Sequence, residues 1–442
     1  MTQPQPVLSV SGGTTVVTLC PNAMLGFLCI FALLFIFPLG GLGALLFLAA
    51  GAALIGRRIL SNVGDILRDW WILLLPVWCV MTTLWSAYPS LTLRFGIQFG
   101  LTTVIALAIA ARLSPRMLLR VLFVALGLAA VASLAIGRAR LDGGGYLGIY
   151  GSKNAFAQVM AIFLLAGLAL ALGRDGSRLW RVVGLATMPF ALVLLSMAQS
   201  AGWLVASILT VAFGFTLAIL RRIPRNQRIL VIAMALLGIV AAGLIAWANQ
   251  ERLASAFLDA TGKDVTLTGR TELWAIALSE IARNPYFGQG FQAVWVIGNP
   301  VAEEIWRAFG IASKSGFHFH STWLSNAVEI GIVGVVIQVV IFGTALVTAL
   351  REVLREARAD TLFLAMFMVQ MTIMSLLEVV AFSQFQVSTM LILIAASRGM
   401  RGAQARGAAS GAGRHPALGY PVRRTARPRM DADLSGAPRR IS

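Results

Sequence analysis

Charge is what this chain has least of. Only 12% of its 442 residues are charged, and acids are the scarcer sign, with 18 Asp and Glu against 36 Lys and Arg. A soluble domain carries roughly 25% charged residues, so this composition excludes an ordinary water-soluble globule. Cysteine is nearly absent too: Cys20, Cys29 and Cys79 lie in or beside apolar runs with no CxxC spacing, which excludes a disulfide framework and a zinc site of cysteines. There are three histidines, two of them in the single segment Phe317 to His320. The N-terminal stretch MTQPQPVLSVSGG lacks the basic region of a cleaved signal peptide, so the first apolar run is expected to stay as a signal anchor. No repeat of about 20 to 50 residues is visible.

What fills the chain instead is apolar sequence. Hydrophobic residues make up 58% and the mean hydropathy is +0.82, in runs of the roughly 17 to 25 residues a helix needs to cross a bilayer. The expectation is an all-α polytopic integral membrane protein with about twelve spans: 24–38, 40–56, 70–86, 96–111, 117–136, 154–173, 182–198, 201–220, 229–248, 322–349, 361–378 and 380–396. The Pro38 to Gly43 stretch either turns a hairpin or kinks one long helix. Arginines set the orientation, because short cytoplasmic loops collect them. With the N-terminus inside, 26 of the 36 basic residues fall on inner segments and ten on outer ones. Both termini are then cytoplasmic.

The organisation that follows is a cytoplasmic tail 1–23, transmembrane helices 24–248, a large outer loop 249–320, helices 321–396, and a basic tail 397–442. The last of these is rich in Arg, Gly, Ala and Pro and is expected to be disordered. No aromatic interleaving accompanies its arginines, so they read as attraction to anionic lipid and not as a nucleic-acid site. The outer loop, about 70 residues long, is of the length that usually carries function. Thr271 to Arg283 within it reads as a helix, with Trp274, Leu278 and Ile281 on one face, and a second short helix around Ala302 to Phe309 reads as a lid.

The candidate chemistry sits at the outer edge. Arg270 precedes the loop helix, where a cation opposes the helix dipole; the placement makes sense if an anion such as a phosphate is shared between the guanidinium and free backbone amides. Arg94 and the pair Lys153 and Asn154 begin outer ends of spans, against the positive-inside trend. They are either interfacial anchors or ligands for an anionic headgroup. Gln199 and Ser200 read as turn residues. His318 and His320 can share one side of an extended segment, and one neutral imidazole with an orienting acceptor suffices for a general base. As a metal pair they lack a convincing set of further ligands beyond Glu303 and Glu304. Glu329 lies too far into the next helix to touch His320, and Glu378 reads as an acid of the bundle interior.

Taken together these stretches resemble the bacterial O-antigen ligase and polysaccharide polymerase superfamily, most closely its exopolysaccharide polymerase branch. The resemblance rests on His320-Ser321, nine residues, then Gly331-Ile332-Val333-Gly334, with LWSAYPSLTLR at Leu84 to Arg94, GSKNAFA at Gly151 to Ala157, and LTGRTELW with NPYFGQGFQAVW at Leu267 to Trp295. It implies a metal-independent glycosyltransferase of the bacterial inner membrane, without cofactor, whose active site faces the periplasm. The implied donor is a polyprenyl-diphosphate-linked oligosaccharide and the acceptor a glycan; membrane lipids and other polysaccharide assembly proteins are the implied partners. The catalytic role falls on His320. Diphosphate binding falls on Arg270, with Lys153 and Arg94, and Asn154, His318, Glu329, Gly331 and Gly334 take supporting places. The turn AQSAGW at Ala198 to Trp203 lacks an arginine that many members carry, which shifts charge binding toward Lys153 or Arg94. The alternatives are an O-antigen ligase acting on lipid A-core and, in another class, a transporter or flippase for the same lipid.

Overall fold

The computed structural model describes residues 9–11, 14–16, 20–141, 143–173, 177–220, 269–314 and 317–412, with scattered positions between 223 and 249. The chain forms two compact units, Met1–Arg401 and Gly402–Ser442. A small antiparallel ladder, β1 (Ser9–Ser11) with β2 (Thr14–Val16), precedes the helices. A second one, β3 (Arg138–Ala139) with β4 (Tyr146–Gly148), lies between two long helices.

The helices follow the apolar runs closely. α1 (Pro21–Leu34) ends before a single turn, α2 (Ile36–Leu39), and Gly40 at φ +54 redirects the chain into α3 (Gly41–Gly56). α1 and α3 pack on each other, so the Pro-Gly stretch makes a hairpin. α4 (Ile59–Arg68) then turns off at 103° to α3. α5 (Trp70–Met81), extended by one 3₁₀ turn to Leu84, leads to α6 (Pro89–Arg112), α7 (Pro115–Ile136), α8 (Lys153–Leu172), α9 (Arg178–Met197) and α10 (Ala201–Leu220). The expected span 229–248 lies almost wholly outside the described residues. After it come α11 (Arg270–Arg283), α12 (Pro300–Ala308), α13 (Thr322–Arg355), α14 (Ala359–Ser375) and α15 (Val387–Ala412).

Six of these, α6 to α10 and α13, are long and apolar enough to cross a membrane, and the bent pair of α3 and α4 raises the number to seven. α1, α5 with its 3₁₀ turn, α14 and the apolar part of α15 are shorter. The protein is a multi-pass helical membrane protein. α8 is its axis: almost every residue from Phe156 to Ala171 is buried, under α7, α9, α10 and α14. α8 and α9 come so close that a Cβ on Gly184 would lie 2.6 Å from the Gly167 carbonyl oxygen, an approach open only to the smallest residues.

Three expectations are corrected. α14 stops at Ser375, so Glu378 lies past the helix and not inside a span. α15 runs to Ala412, so residues 397–412, expected disordered, are helical. Once a helix exists, adding Ala, Arg and Gln at its end needs no new nucleus. In α11 the buried residues are Leu273, Ala277 and Glu280, while Leu278 is 58% exposed. The loop helix is thus rotated from the predicted face, because it packs on the rest of its own loop.

Candidate functional site

That loop has a core of its own. Leu273 and Ala277 of α11, Val294, Ile305 of α12, Phe319, and Val328 of α13 bury one another, with Trp295, Phe309 and Phe317 packed around them. Phe319 is the inward residue of the segment joining the loop to α13, and Trp274 Nε1 donates to its carbonyl at 3.0 Å. His318 and His320 flank it, with ring centroids 4.4 Å apart. His320 has φ +49, a left-handed conformation that costs a non-glycine residue free energy and often marks a site under constraint.

The acid that meets these rings is Glu378. Its Oε2 is 3.2 Å from His320 Nδ1 and 3.7 Å from His318 Nε2, while its Oε1 accepts from Arg270 Nη2 at 2.8 Å and from Asn154 Nδ2 at 2.9 Å. Ser200 Oγ, in the turn between α9 and α10, donates to Asn154 Oδ1 at 2.9 Å. Thr322 fastens the acid in place: its hydroxyl donates to the Glu378 carbonyl at 2.8 Å and accepts from Val380 N at 3.0 Å. Three segments, far apart in sequence, converge on one carboxylate.

Charge and tautomer follow from these contacts. Burial pushes the Glu378 carboxyl up, but the hydrogen bond from His320, with His318 and Arg270, outweighs it and holds it below the usual carboxylate range. An ionised carboxylate only accepts, so in its neutral form His320 carries its proton on Nδ1 and its lone pair on Nε2. His318 differs. Its Nδ1 accepts the His320 backbone N–H at 3.1 Å, so its own proton sits on Nε2. Desolvation first, then the neighbouring His320 and Arg270, push its pKa down to about 4 against the pull of Glu378. His318 is a neutral donor, and its one lone pair is already used.

The ligand atoms of His318, His320 and Glu378 lie within 4.8 Å of one another, close enough to be considered for a metal. The donor set fits poorly. A metal would need the Nε2 lone pair of His318, yet that nitrogen holds the ring's only proton while Nδ1 accepts the amide, and the Arg270 cation sits on the same carboxylate. Glu303, weighed as a further ligand, is engaged elsewhere by Lys314 Nζ at 2.6 Å.

The other sequence candidates divide. Lys153, at the first position of α8, reaches the Gln199 carbonyl at 3.5 Å beside Asn154 and so borders the cluster. Arg94 is exposed on α6 with its guanidinium 5.2 Å over Phe95, and no described contact joins it to Glu378. Glu329 accepts from the Gln292 amide at 2.9 Å, apart from the histidines. Gly331 is set apart by its backbone. It breaks α13, with φ +64 and ψ −177, and the segment after α11 fills the break. Ile332 N donates to the Pro285 carbonyl, Gln289 N to that of Val328 and Gly290 N to that of Glu329, at 2.8 to 2.9 Å. Gly334 faces Ile330 of its own helix across that break. The sequence missed Glu378 as the partner of His320 and Arg270, along with Ser200 and Thr322. The available signal was the price of an acid at a span's edge, which demands a cationic or donor partner but does not name one.

Comparison with known proteins shows the family. The O-Antigen ligase family profile matches residues 183–339, a stretch that holds Arg270, His320, Gly331 and Gly334 but neither Asn154 nor Glu378. The chain is also 32% identical over 308 residues to the Exopolysaccharide production protein ExoQ of Rhizobium meliloti (strain 1021), covering 68% of this chain and 69% of that protein. Motif, family match and relative agree: this chain belongs to the O-antigen ligase and exopolysaccharide polymerase superfamily.

Proposed function

We propose that the protein is a metal-independent glycosyltransferase that polymerises exopolysaccharide or O-antigen repeat units from a polyprenyl-diphosphate-linked donor at the periplasmic face of the inner membrane. The observation that carries this reading is the pairing of His320 Nδ1 with Glu378 at 3.2 Å while Arg270 holds the same carboxylate at 2.8 Å. An acceptor sugar hydroxyl is a poor nucleophile. As its oxygen attacks the anomeric carbon, its proton passes to His320 Nε2, and the bond from that carbon to the diphosphate oxygen breaks. Glu378 holds the ring in the receiving tautomer and stabilises the imidazolium that forms. The leaving diphosphate gathers negative charge beside the first turn of α11, where Arg270 retains further N–H donors and Lys153 stands close by. Arg94 takes no part in this scheme. The name of the relative favours exopolysaccharide as the product, and the poor fit of the histidines to a metal supports general-base chemistry. Residues 249–320 are then the periplasmic loop, the termini are cytoplasmic, and the number of spans is about twelve.

The test is the glycan made by purified protein from a defined lipid-diphosphate-linked repeat unit. Correctly inserted His320→Ala should keep donor affinity and lose roughly 100 to 10,000-fold in rate. Arg270→Ala should weaken donor binding, and Arg270→Lys should restore little of it, because a point charge does not reproduce the guanidinium fork. Polymer formation at the normal rate by His320→Ala would overturn the assignment.

A further inference from the structure

α4 has no part in the transfer reaction, yet its two faces are sharply different. On one, Asn62 Nδ2 donates to the carbonyls of Leu54 and Ile55 at 3.3 and 2.7 Å, completing the end of α3. Arg112, the last residue of α6, donates to Ser61 Oγ and Asp65 Oδ2, each at 2.9 Å. Polar contacts therefore fasten this face to the bundle. On the other, Ile59, Leu60, Val63 and Leu67 are 58, 87, 45 and 59% exposed. At about 100° per residue they fall within one arc of roughly 100°, and Trp70, the first residue of α5, is 60% exposed as well.

Direction and charge say what covers this row. α4 leaves α3, an apolar helix of 16 residues, at 103°, so if α3 crosses the bilayer α4 lies along its surface. Arg57 and Arg58 stand exposed at the bend and Arg68 at the far end. A second copy docked through this row would set arginine against arginine. We propose that α4 is an in-plane interfacial helix, its apolar row inserted among acyl chains and Arg57, Arg58 and Arg68 gathering anionic phospholipid headgroups at the arginine-rich face of the membrane. An amphipathic helix with a basic rim is built for this position, and basic residues near a surface each favour anionic lipid about five-fold.

The proposal stands apart from the glycosyl-transfer reading and is tested on the full chain in nanodiscs of phosphatidylcholine, with and without phosphatidylglycerol. A fluorophore at Leu60→Cys, in a background without other cysteines, should be quenched by lipid spin-labelled high on the acyl chain. Spin-labelled phosphatidylglycerol should be enriched in the first lipid shell, roughly five-fold for each arginine engaged. The enrichment should fall in the Arg57→Gln/Arg58→Gln/Arg68→Gln variant, whose melting in detergent must match the parent; if it does not, Arg58→Gln alone carries the comparison. Quenching by aqueous iodide but not by lipid, or a probe shielded from both in a dimeric particle, would overturn the insertion. Equal shells of the two lipids would overturn the headgroup site.

Discussion

At the scale of single residues, the two histidines look alike in the sequence and are opposites in the site. Neutral His320 keeps its lone pair on Nε2 because its Nδ1–H donates to Glu378, whereas His318 spends its only lone pair on the His320 amide. Glu378→Gln should therefore behave nearly as badly as His320→Ala, with a rate loss of roughly 100-fold or more read in single-turnover transfer, since an amide neither fixes the tautomer nor stabilises the imidazolium. His318→Gln should be milder in rate but visible in stability. The folded His318 has its pKa at about 4, below the ordinary 6.5, so between those values the unfolded chain binds a proton that the folded chain does not. Stability must then rise with pH across that window, be complete above about 6.5, and be lost on acidification toward pH 4. Glu378, also held low, adds a further loss at lower pH. Thermal melting of the detergent-solubilised protein from pH 7 to 4.5 should show a falling midpoint, and His318→Gln should flatten that fall. An unchanged slope would mean that His318 is not held neutral.

At the scale of elements, the break in α13 ties the loop to the bundle. The segment after α11 fills the gap at Gly331 with its own backbone groups, and Trp78 Nε1 donates to the Ile330 carbonyl at 2.9 Å. The break thereby leaves few of its polar groups unpaired within the membrane protein. Gly331→Ala should be strongly destabilising, because the backbone at φ +64 and ψ −177 belongs almost wholly to glycine and a Cβ would lie 2.2 Å from the Tyr286 carbonyl oxygen. The strain alone costs about 1–3 kcal/mol. The atoms nearest a Cβ on Gly334 belong to the Ile330 side chain, so Gly334→Ala should cost less. The order of the two melting midpoints checks this, and equal losses would show that the break is not the reason for the first glycine.

At the scale of the whole molecule, the arginine bias predicts that the loop and the inner end of α13 face opposite sides. Ile297→Cys, 69% exposed in the loop, and Leu354→Cys, 40% exposed near the end of α13, should label from opposite faces of sealed vesicles once the native cysteines are replaced. Labelling of both from one side would sink the topology. Chelation should leave turnover intact; recovery of a chelated enzyme by zinc alone would replace general-base catalysis with a Lewis-acid scheme. The sequence by itself determined the helical membrane class and the loop helices, left hairpin or kink open at Pro38, and through its resemblance placed the catalytic expectation on His320 and Arg270. Hydrophobic run length, arginine placement and helix caps are local properties, and they survive in any fold that keeps the chain in lipid. It could not say that Glu378 is the shared partner, since that acid is 58 residues from His320, 108 from Arg270 and 224 from Asn154. Nor could it say that Gly331 breaks a helix, because the groups that fill the break come from another segment. Only the packing of α8, α11 and α13 around one buried carboxylate decided which histidine holds a free lone pair, and that depends on contacts no local pattern encodes.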